Sequence, residues 1–559
     1  MTLREKLERT ADFVLGVELV STRGTVTETR AARTLAFAEE LAAHERVDWV
    51  SVTDNAGGNP QLAPAALGRL VRACGRDVVV HLSCKDFNRH ALESEAWHLA
   101  SEGLHNLLVL SGDYPGDGFA GGGKPVFDTD SVGLLALLAH LNAGLDVTRP
   151  GARQTARLAA TEFFPACVVS NFKLHENELV PQLLKLEKKL ECGARWIINQ
   201  IGYDSRKIHE LAVWLRARGR GSVPLIGNVY VLNPGVARLF RTRRIPGVVI
   251  SDELAALCEA KAREPDRGRA WFLDLAAKQI AVYRGLGYRG AYVGGIHSRA
   301  ELDALLARAD GFGPEAWRSF AREIRFSRPG EFFLYAEDPA TGLADPGRYS
   351  PGYLAAQARP PSPGFGASYR LAKLAHAALF DPGRGLWAAG KAITGAARDP
   401  RQGPKWLRLA EHAGKQALFG CRDCGDCSLS EIAFLCPESA CAKNQRNGPC
   451  GGTRDGKCEV DDFECIWARA YDRLRFEGRA GDLLAHAPVI QDQSLRGTSS
   501  WANTWHGRDH LARKIAVPAA AAPVPVVGRG TPAAPGRPPE KPAPDLPSCP
   551  NQESASSAN

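Results

Sequence analysis

The sequence predicts an α/β chain: a parallel (β/α)8 barrel of the TIM type, then a linker, then a small cysteine-rich metal-binding domain. Three observations carry this reading. Eight short apolar or β-branched runs recur before residue 314, helical periodicity fills the gaps between them, and eight cysteines crowd into one segment, 421–465. The runs are 14–19, 48–54, 78–84, 107–112, 166–170, 196–200, 223–231 and 291–297. Continuous apolar runs without polar alternation belong to parallel strands covered on both faces. The intervening segments, among them 28–43, 90–103, 176–193 and 207–219, repeat apolar residues at the helical period, and eight such units favour closure into a barrel over an open doubly wound sheet. The expected domains are 1–313 for the barrel, 314–405 for a connector, 406–490 for the cysteine-rich domain and 518–559 for a disordered tail.

The run Leu107-Leu108-Val109-Leu110 ends in Ser111-Gly112-Asp113, which reads as a buried strand handing one carboxylate to a loop. In a barrel every strand end faces one rim, where chemistry sits. The polar residues at those ends are Glu18, Thr53 with Asp54, His81 with Lys85 and Asp86, Asp113, Ser170 with Asn171, Gln200 with Asp204, Asn228 with Asn233, and His297 with Arg299. Glu18 stands out, because a carboxylate inside an apolar strand must find a partner or raise its pKa; a structural salt bridge is the alternative. Gly116-Asp117-Gly118-Phe119-Ala120-Gly121 fits G-x-G-x-x-G, but no helix opens there, so it reads as a flexible loop and not a dinucleotide fingerprint. Lys185, Lys188 and Lys189 share one helical segment, either a solvated face or a place for a phosphate.

The 70 basic and 62 acidic residues leave a formal charge of +8 over 559 residues, spread along the chain. That balance favours neither nucleic acid nor a membrane surface, although an anionic ligand is compatible. No apolar stretch approaches a membrane span, and a cytoplasmic protein is expected.

Cys421-x2-Cys424-x2-Cys427 is followed by Cys436-Pro437, Cys441, Cys450, Cys458 and Cys465. Three thiolates at this spacing, with a fourth before proline, resemble a [4Fe–4S] site, though the last gap is longer than usual. Tetrahedral zinc is compatible with much of the same spacing. Eight ligands suffice for two four-thiolate centres, and with few large apolar side chains expected around them, metal is expected to hold the segment folded. A disulfide cluster would require an oxidising compartment. Cys74, Cys84, Cys167, Cys192 and Cys258 read as ordinary core thiols.

On these residues the chain resembles the methylenetetrahydrofolate reductases over about residues 10–312. The matching motifs are Gly16-Val17-Glu18, Ser51-Val52-Thr53, His81-Leu82-Ser83-Cys84, Leu110-Ser111-Gly112-Asp113-Tyr114-Pro115, Gly193-Ala194-Arg195 through Asn199-Gln200, and Ser298-Arg299-Ala300-Glu301. The cysteine segment, with Asn447-Gly448-Pro449-Cys450-Gly451-Gly452, is similar to the C-terminal domain fused to or partnered with some of these reductases. The resemblance implies flavin-dependent reduction of 5,10-methylenetetrahydrofolate to 5-methyltetrahydrofolate in one-carbon and methionine metabolism. Glu18 would be the general acid, and Asp113 would lie by flavin and folate. FAD would be held by Thr53, Asp54, Ala56, His81, Gly112 and Asp113, with Lys185, Lys188 and Lys189 near its phosphates. Gln200 and Arg299 would bind substrate. Electrons would come from NAD(P)H, or from ferredoxin or a flavoprotein, and an oligomer is expected. Three positions depart from the pattern: Asp54 stands where an aromatic residue is common, Ser111 replaces an arginine, and Val236 replaces a glutamine. Two other functions fit parts of the sequence, a pterin-binding methyltransferase barrel and a non-catalytic metal-cluster subunit of a reductase complex.

Overall fold

The computed structural model describes residues 1–148, 155–242, 245, 247–357 and 366–518. Eight strands form the barrel: β1 (Val14–Leu19), β2 (Trp49–Val52), β3 (Asp77–Ser83), β4 (Asn106–Leu110), β5 (Phe164–Val169), β6 (Trp196–Asn199), β7 (Leu225–Tyr230) and β8 (Gly290–Gly294). Each lies beside its neighbours in sequence, all parallel, and β8 closes against β1. Every expected run overlaps one of these strands. The register sets Gly16 beside Tyr292 across β1 and β8, and Glu18 beside Ser51 across β1 and β2.

The barrel interior is filled by large rings. Trp49 meets Trp196 edge-on at 5.6 Å and stacks on Tyr292 at 5.2 Å. Gly16 leaves the space for this, since a Cβ there would stand 2.0 Å from the Trp49 ring. A short helix, Leu3–Arg9, places buried Leu3 and Leu7 against this inner cluster and caps the end of the barrel where the strands begin. Both features escape a reading based on apolar runs.

The loop at 116–123 forms a minute antiparallel pair, Asp117–Gly118 with Gly121–Gly122, and the next helix opens only at Ser131, as expected of a glycine loop and not of a dinucleotide motif. Residues 314–405 carry a helix (Trp317–Glu323), a two-stranded sheet (Tyr335–Glu337 with Ala344–Tyr349) and the helices Gly366–Phe380 and Gly385–Gly395.

The cysteine segment is better packed than its composition suggests. Buried Ile432, Leu435, Trp467, Tyr471, Leu474 and Leu483 form their own cluster, and Val180 and Leu184 of the barrel helix Glu176–Glu191 rest against it. Within 421–465 the large buried residues of this cluster are Ile432 and Leu435; the helix Ile466–Phe476, beyond the last cysteine, supplies most of the rest and docks it on the barrel. The expected disordered tail, with Cys549, lies beyond residue 518 and outside the described residues, as does the proline-rich stretch at 360–364. Among the described residues no helix is long and apolar enough to cross a membrane.

Candidate functional site

Glu18 ends β1 at the mouth of the barrel, partly buried. Tyr292 on β8 donates its phenol to Glu18 Oε1 at 3.2 Å. Burial raises the Glu18 pKa above the ordinary carboxylate value, and the Tyr292 bond opposes that only in part. A carboxyl so held keeps its proton to higher pH, which suits an acid. Gly294 makes room for it: a Cβ there would lie 2.8 Å from Glu18 Oε2 and 2.9 Å from the Tyr230 ring. Ser51 bonds the Tyr292 phenol, and its hydroxyl also meets His81 Nε2 at 2.7 Å. His81 is buried, and burial pushes its pKa down to about 4, so the ring is neutral near pH 7. Four adjacent strands thus deliver a hydrogen-bonded chain, His81–Ser51–Tyr292–Glu18, to the mouth.

Asp113 leaves β4 and accepts from the Gly57 backbone N–H at 2.9 Å. Burial raises its pKa, and nearby Lys443, from the cysteine domain, opposes the rise. Thr53 Oγ1 accepts from Ser21 N at 3.2 Å, Ala56 N donates to Gln61 at 3.2 Å, and Asp54 accepts from Ser83. The pKa of Asp54 is raised by burial, with Lys85 opposing. Gln200 folds back so that its Oε1 accepts from Ile201 N at 2.9 Å. Arg299 opens the helix Arg299–Asp310 and is exposed; its partners, Glu40 and Asp303, belong to outer helices. Glu18, His81, Asp113 and Gln200 therefore sit at strand ends around the mouth, while Arg299 sits at its periphery.

The three lysines expected near flavin phosphates are buried and bonded within the chain. Lys185 Nζ donates to Gln445 Oε1 at 3.1 Å and to the carbonyls of Gly448 and Pro449 at 3.0 Å each. Lys188 Nζ donates to the His486 carbonyl at 2.8 Å, and Lys189 Nζ to the Val168 carbonyl at 2.7 Å. As folded, these lysines do not fit a flavin phosphate. What engages Lys185 is residues 443–453 of the cysteine domain, a strap laid over the ends of β4 and β5. Its other anchors were missed by spacing alone. Lys173 Nζ donates to the carbonyls of Gly451 (2.6 Å) and Thr453 (2.5 Å), Lys443 Nζ to that of Gly112 (2.7 Å), and Ser111 Oγ to Gln445 (3.0 Å). Buried Asp130, cap of the helix Ser131–Ala143, accepts from the backbone N–H of Arg446 and Asn447 and from the Asn447 amide. The Asn447-Gly448-Pro449-Cys450 signature was the one sequence signal for this contact.

The eight cysteines sort into two quartets. Cys421, Cys424, Cys427 and Cys436 line one recess with Glu411, Lys415, Ser428 and Arg446. Cys441, Cys450, Cys458 and Cys465 form the second, where Cys441 neighbours Cys458 and Cys450, and Cys465 neighbours both Cys450 and Cys441. All are free thiols, and burial pushes Cys427 and Cys450 up to about 12. Backbone N–H groups already point at sulfur: Asp423 N to Cys421, Gln445 N to Cys441 and Gly452 N to Cys450, at 3.4–3.5 Å. The donor set is all soft thiol and fits an iron–sulfur cluster or zinc at each quartet. Among the described residues no three Cys, His, Asp or Glu side chains converge closely enough to hold an ion.

A sequence model of the methylenetetrahydrofolate reductases matches residues 3–283, and one of the methylene-tetrahydrofolate reductase C terminal matches residues 405–493. No curated protein matches. Among solved structures, an uncharacterized protein from Clostridium thermocellum, described as binding two copies of 5-methyl-5,6,7,8-tetrahydrofolic acid, is 10% identical, with a TM-score of 0.38 over 55% of this chain and 96% of that one. A 2,3-dimethylmalate lyase is 11% identical (TM-score 0.32, 55% of this chain and 82% of that one). A putative deoxyribose-phosphate aldolase from Toxoplasma gondii is 14% identical (TM-score 0.28, 56% of this chain and all of that one). The barrel match spans half the chain and the second match falls on the cysteine domain, so the chain belongs to the methylenetetrahydrofolate reductase family and carries its C-terminal domain.

Proposed function

We propose that the barrel reduces 5,10-methylenetetrahydrofolate to 5-methyltetrahydrofolate. The observation that carries this reading is a carboxyl, Glu18, set at the mouth of a barrel of this family, bonded by the Tyr292 phenol and with its pKa raised by burial. The methylene bridge must open before its carbon can be reduced. Glu18 gives its proton to N10 as the C–N10 bond breaks, leaving a 5-iminium cation, and a hydride equivalent (two electrons and one proton) then adds to the iminium carbon to give the methyl group. Tyr292 holds the acid in place, and the Ser51–His81 pair behind it fixes the phenol. Asp113, the carboxyl at the end of β4 with Lys443 opposing the rise in its pKa, is the proposed partner of the cation and, when ionised, stabilises it by attraction. Gln200 and Arg299 are the proposed substrate contacts, Gln200 at the rim of β6 and Arg299 where an exposed cation meets the outer end of a bound folate.

The electrons come from outside these residues, from a nicotinamide, a ferredoxin or a flavoprotein. The quartets Cys421/424/427/436 and Cys441/450/458/465 would hold an iron–sulfur cluster, which carries single electrons, or zinc, which braces the fold. The test is anaerobic incubation of the full chain with 5,10-methylenetetrahydrofolate and a reduced viologen dye, with the folates separated by chromatography. Accumulation of 5-methyltetrahydrofolate supports the reading. Dye that stays reduced while folate is unchanged rejects it, and in a parallel incubation transfer of the methyl group of 5-methyltetrahydrofolate to added cob(I)alamin, releasing tetrahydrofolate without dye oxidation, points to a methyltransferase barrel.

A further inference from the structure

We propose that the strap of the C-terminal domain is a built-in occupant of the barrel's flavin-phosphate cradle, so that the docked chain holds no flavin there and Lys185 serves to dock the domain. This rests on the family's assignment of that cradle and not on the folate reaction.

The argument begins with close approach. Gly448 has φ +105° and Gly451 φ +99°, a region that suits glycine. A Cβ on Gly448 would stand 2.8 Å from Lys185 Cδ, and one on Gly451 would stand 2.8 Å from Ser170 Oγ. The two glycines let the backbone lie flat on the barrel just where Lys185 and the end of β5 meet it. Between them Pro449 has no N–H to leave unbonded, and its carbonyl and that of Gly448 point at the Lys185 ammonium. Two carbonyl dipoles and the Gln445 amide oxygen thus take up the Lys185 ammonium, the donor that a phosphate there would need. Ser111 fits the same account. The family commonly carries an arginine there, and a residue this small instead accommodates Gln445 at 3.0 Å. Lys173 and Asp130 close the strap at either side with buried charge-assisted bonds. A flavin phosphate and the strap compete for one set of donors, and the strap is covalently present at all times, which gives it the advantage of high effective concentration.

The test uses the full chain and free flavins, with flavin fluorescence as the readout and no folate present. The purified chain is assayed for released flavin and titrated with FAD and, separately, FMN. The expected result is neither bound flavin nor quenching by the wild type. Gly448→Val, which lifts the strap while leaving all three lysines in place, is expected to bind flavin at least about 10²-fold more tightly, the factor by which a competent state populated about one per cent of the time weakens apparent affinity. Asp130→Asn is a second route to the lifted state should Gly448→Val fail to fold. In either background Lys185→Met should remove the gain. Wild type that carries or takes up an equivalent of FAD or FMN overturns the proposal, as does failure of both folded strap variants to gain flavin. Gain of FMN but not FAD would still support it and show that the cradle ends at one phosphate.

Discussion

Asp130 is the most informative place to pull the two domains apart. Its carboxylate, 2% exposed, caps the helix Ser131–Ala143 through Val132 and Gly133 N–H at 3.0 and 3.2 Å. It also accepts from Asn447 N at 2.8 Å, from Arg446 N at 3.2 Å and from the Asn447 amide at 3.1 Å. Loss of a helix cap costs about 1 kcal/mol. Hydrogen bonds to a charged group contribute about 1.5–3 kcal/mol each, partly offset by no longer burying the carboxylate. Asp130→Ala should therefore weaken the folded chain by about 4–6 kcal/mol, comparable with the whole stability of a modest domain. Asp130→Asn separates the two roles. Its amide oxygen still caps the helix, but its NH2 faces the Arg446 and Asn447 donors, so the strap lifts while the barrel helix stays. The assay is limited proteolysis with cleavage sites mapped by mass, alongside urea unfolding followed by tryptophan fluorescence. Asp130→Ala and Asp130→Asn should both open sites within 443–453, and only Asp130→Ala should also loosen 131–143. If 443–453 is as protected in both variants as in the wild type, the strap is not held as described.

Glu18→Gln should raise stability at neutral pH. The folded carboxyl resists ionisation while the unfolded one ionises near its ordinary value of 4.5, so the stability of the wild type falls relative to the Gln variant as pH rises above that value and the two converge below it; parallel urea titrations at several pH values check this, and curves that stay superimposed at pH 7 would show Glu18 is not so perturbed. Tyr292→Phe removes a neutral donor to Glu18 and should slow folate reduction by about 5-fold without weakening folate binding, consistent with a net hydrogen bond of about 1 kcal/mol; an equal loss in binding would make Tyr292 a substrate contact instead. One of the two centres should be lost in Cys427→Ser, and metal content should fall to near zero only when Cys450, from the other quartet, is replaced as well; Cys424→Ser added to Cys427→Ser should cost nothing more. Chelation should expose 421–465 to protease while the helix Ile466–Phe476, packed also on Leu483 and on Val180 and Leu184 of the barrel, stays docked.

The barrel was legible because strands buried on both faces cannot alternate, so each wrote a plain apolar run into the sequence. The edges shifted by a few residues where chemistry was ambiguous: β5 begins at Phe164, ahead of the expected 166, since Phe164-Pro165 looks like a turn until Pro165 is seen pairing with Leu107. Glu18 was legible as one carboxylate inside such a run. Its partner Tyr292 was not, because a tyrosine in a strand counts as core until its phenol is placed. The lysines were legible as a basic face, but what Lys185 and Lys188 face lies 260 and 298 residues further on, and spacing within a helix carries no information about so distant a partner. Likewise Gly448 and Gly451 read as a signature without a reason, which appears only when their positive φ values are set against Lys185 and Ser170.

The acid assignment bears most directly on the account. Wild type and Glu18→Gln should be given 5,10-methylenetetrahydrofolate and the same reduced viologen dye, with folate affinity measured in parallel by equilibrium dialysis. The account predicts unchanged affinity and 5-methyltetrahydrofolate formation slowed by about 10²-fold or more, the usual scale for a lost general acid. Equal rates for the two proteins would contradict it.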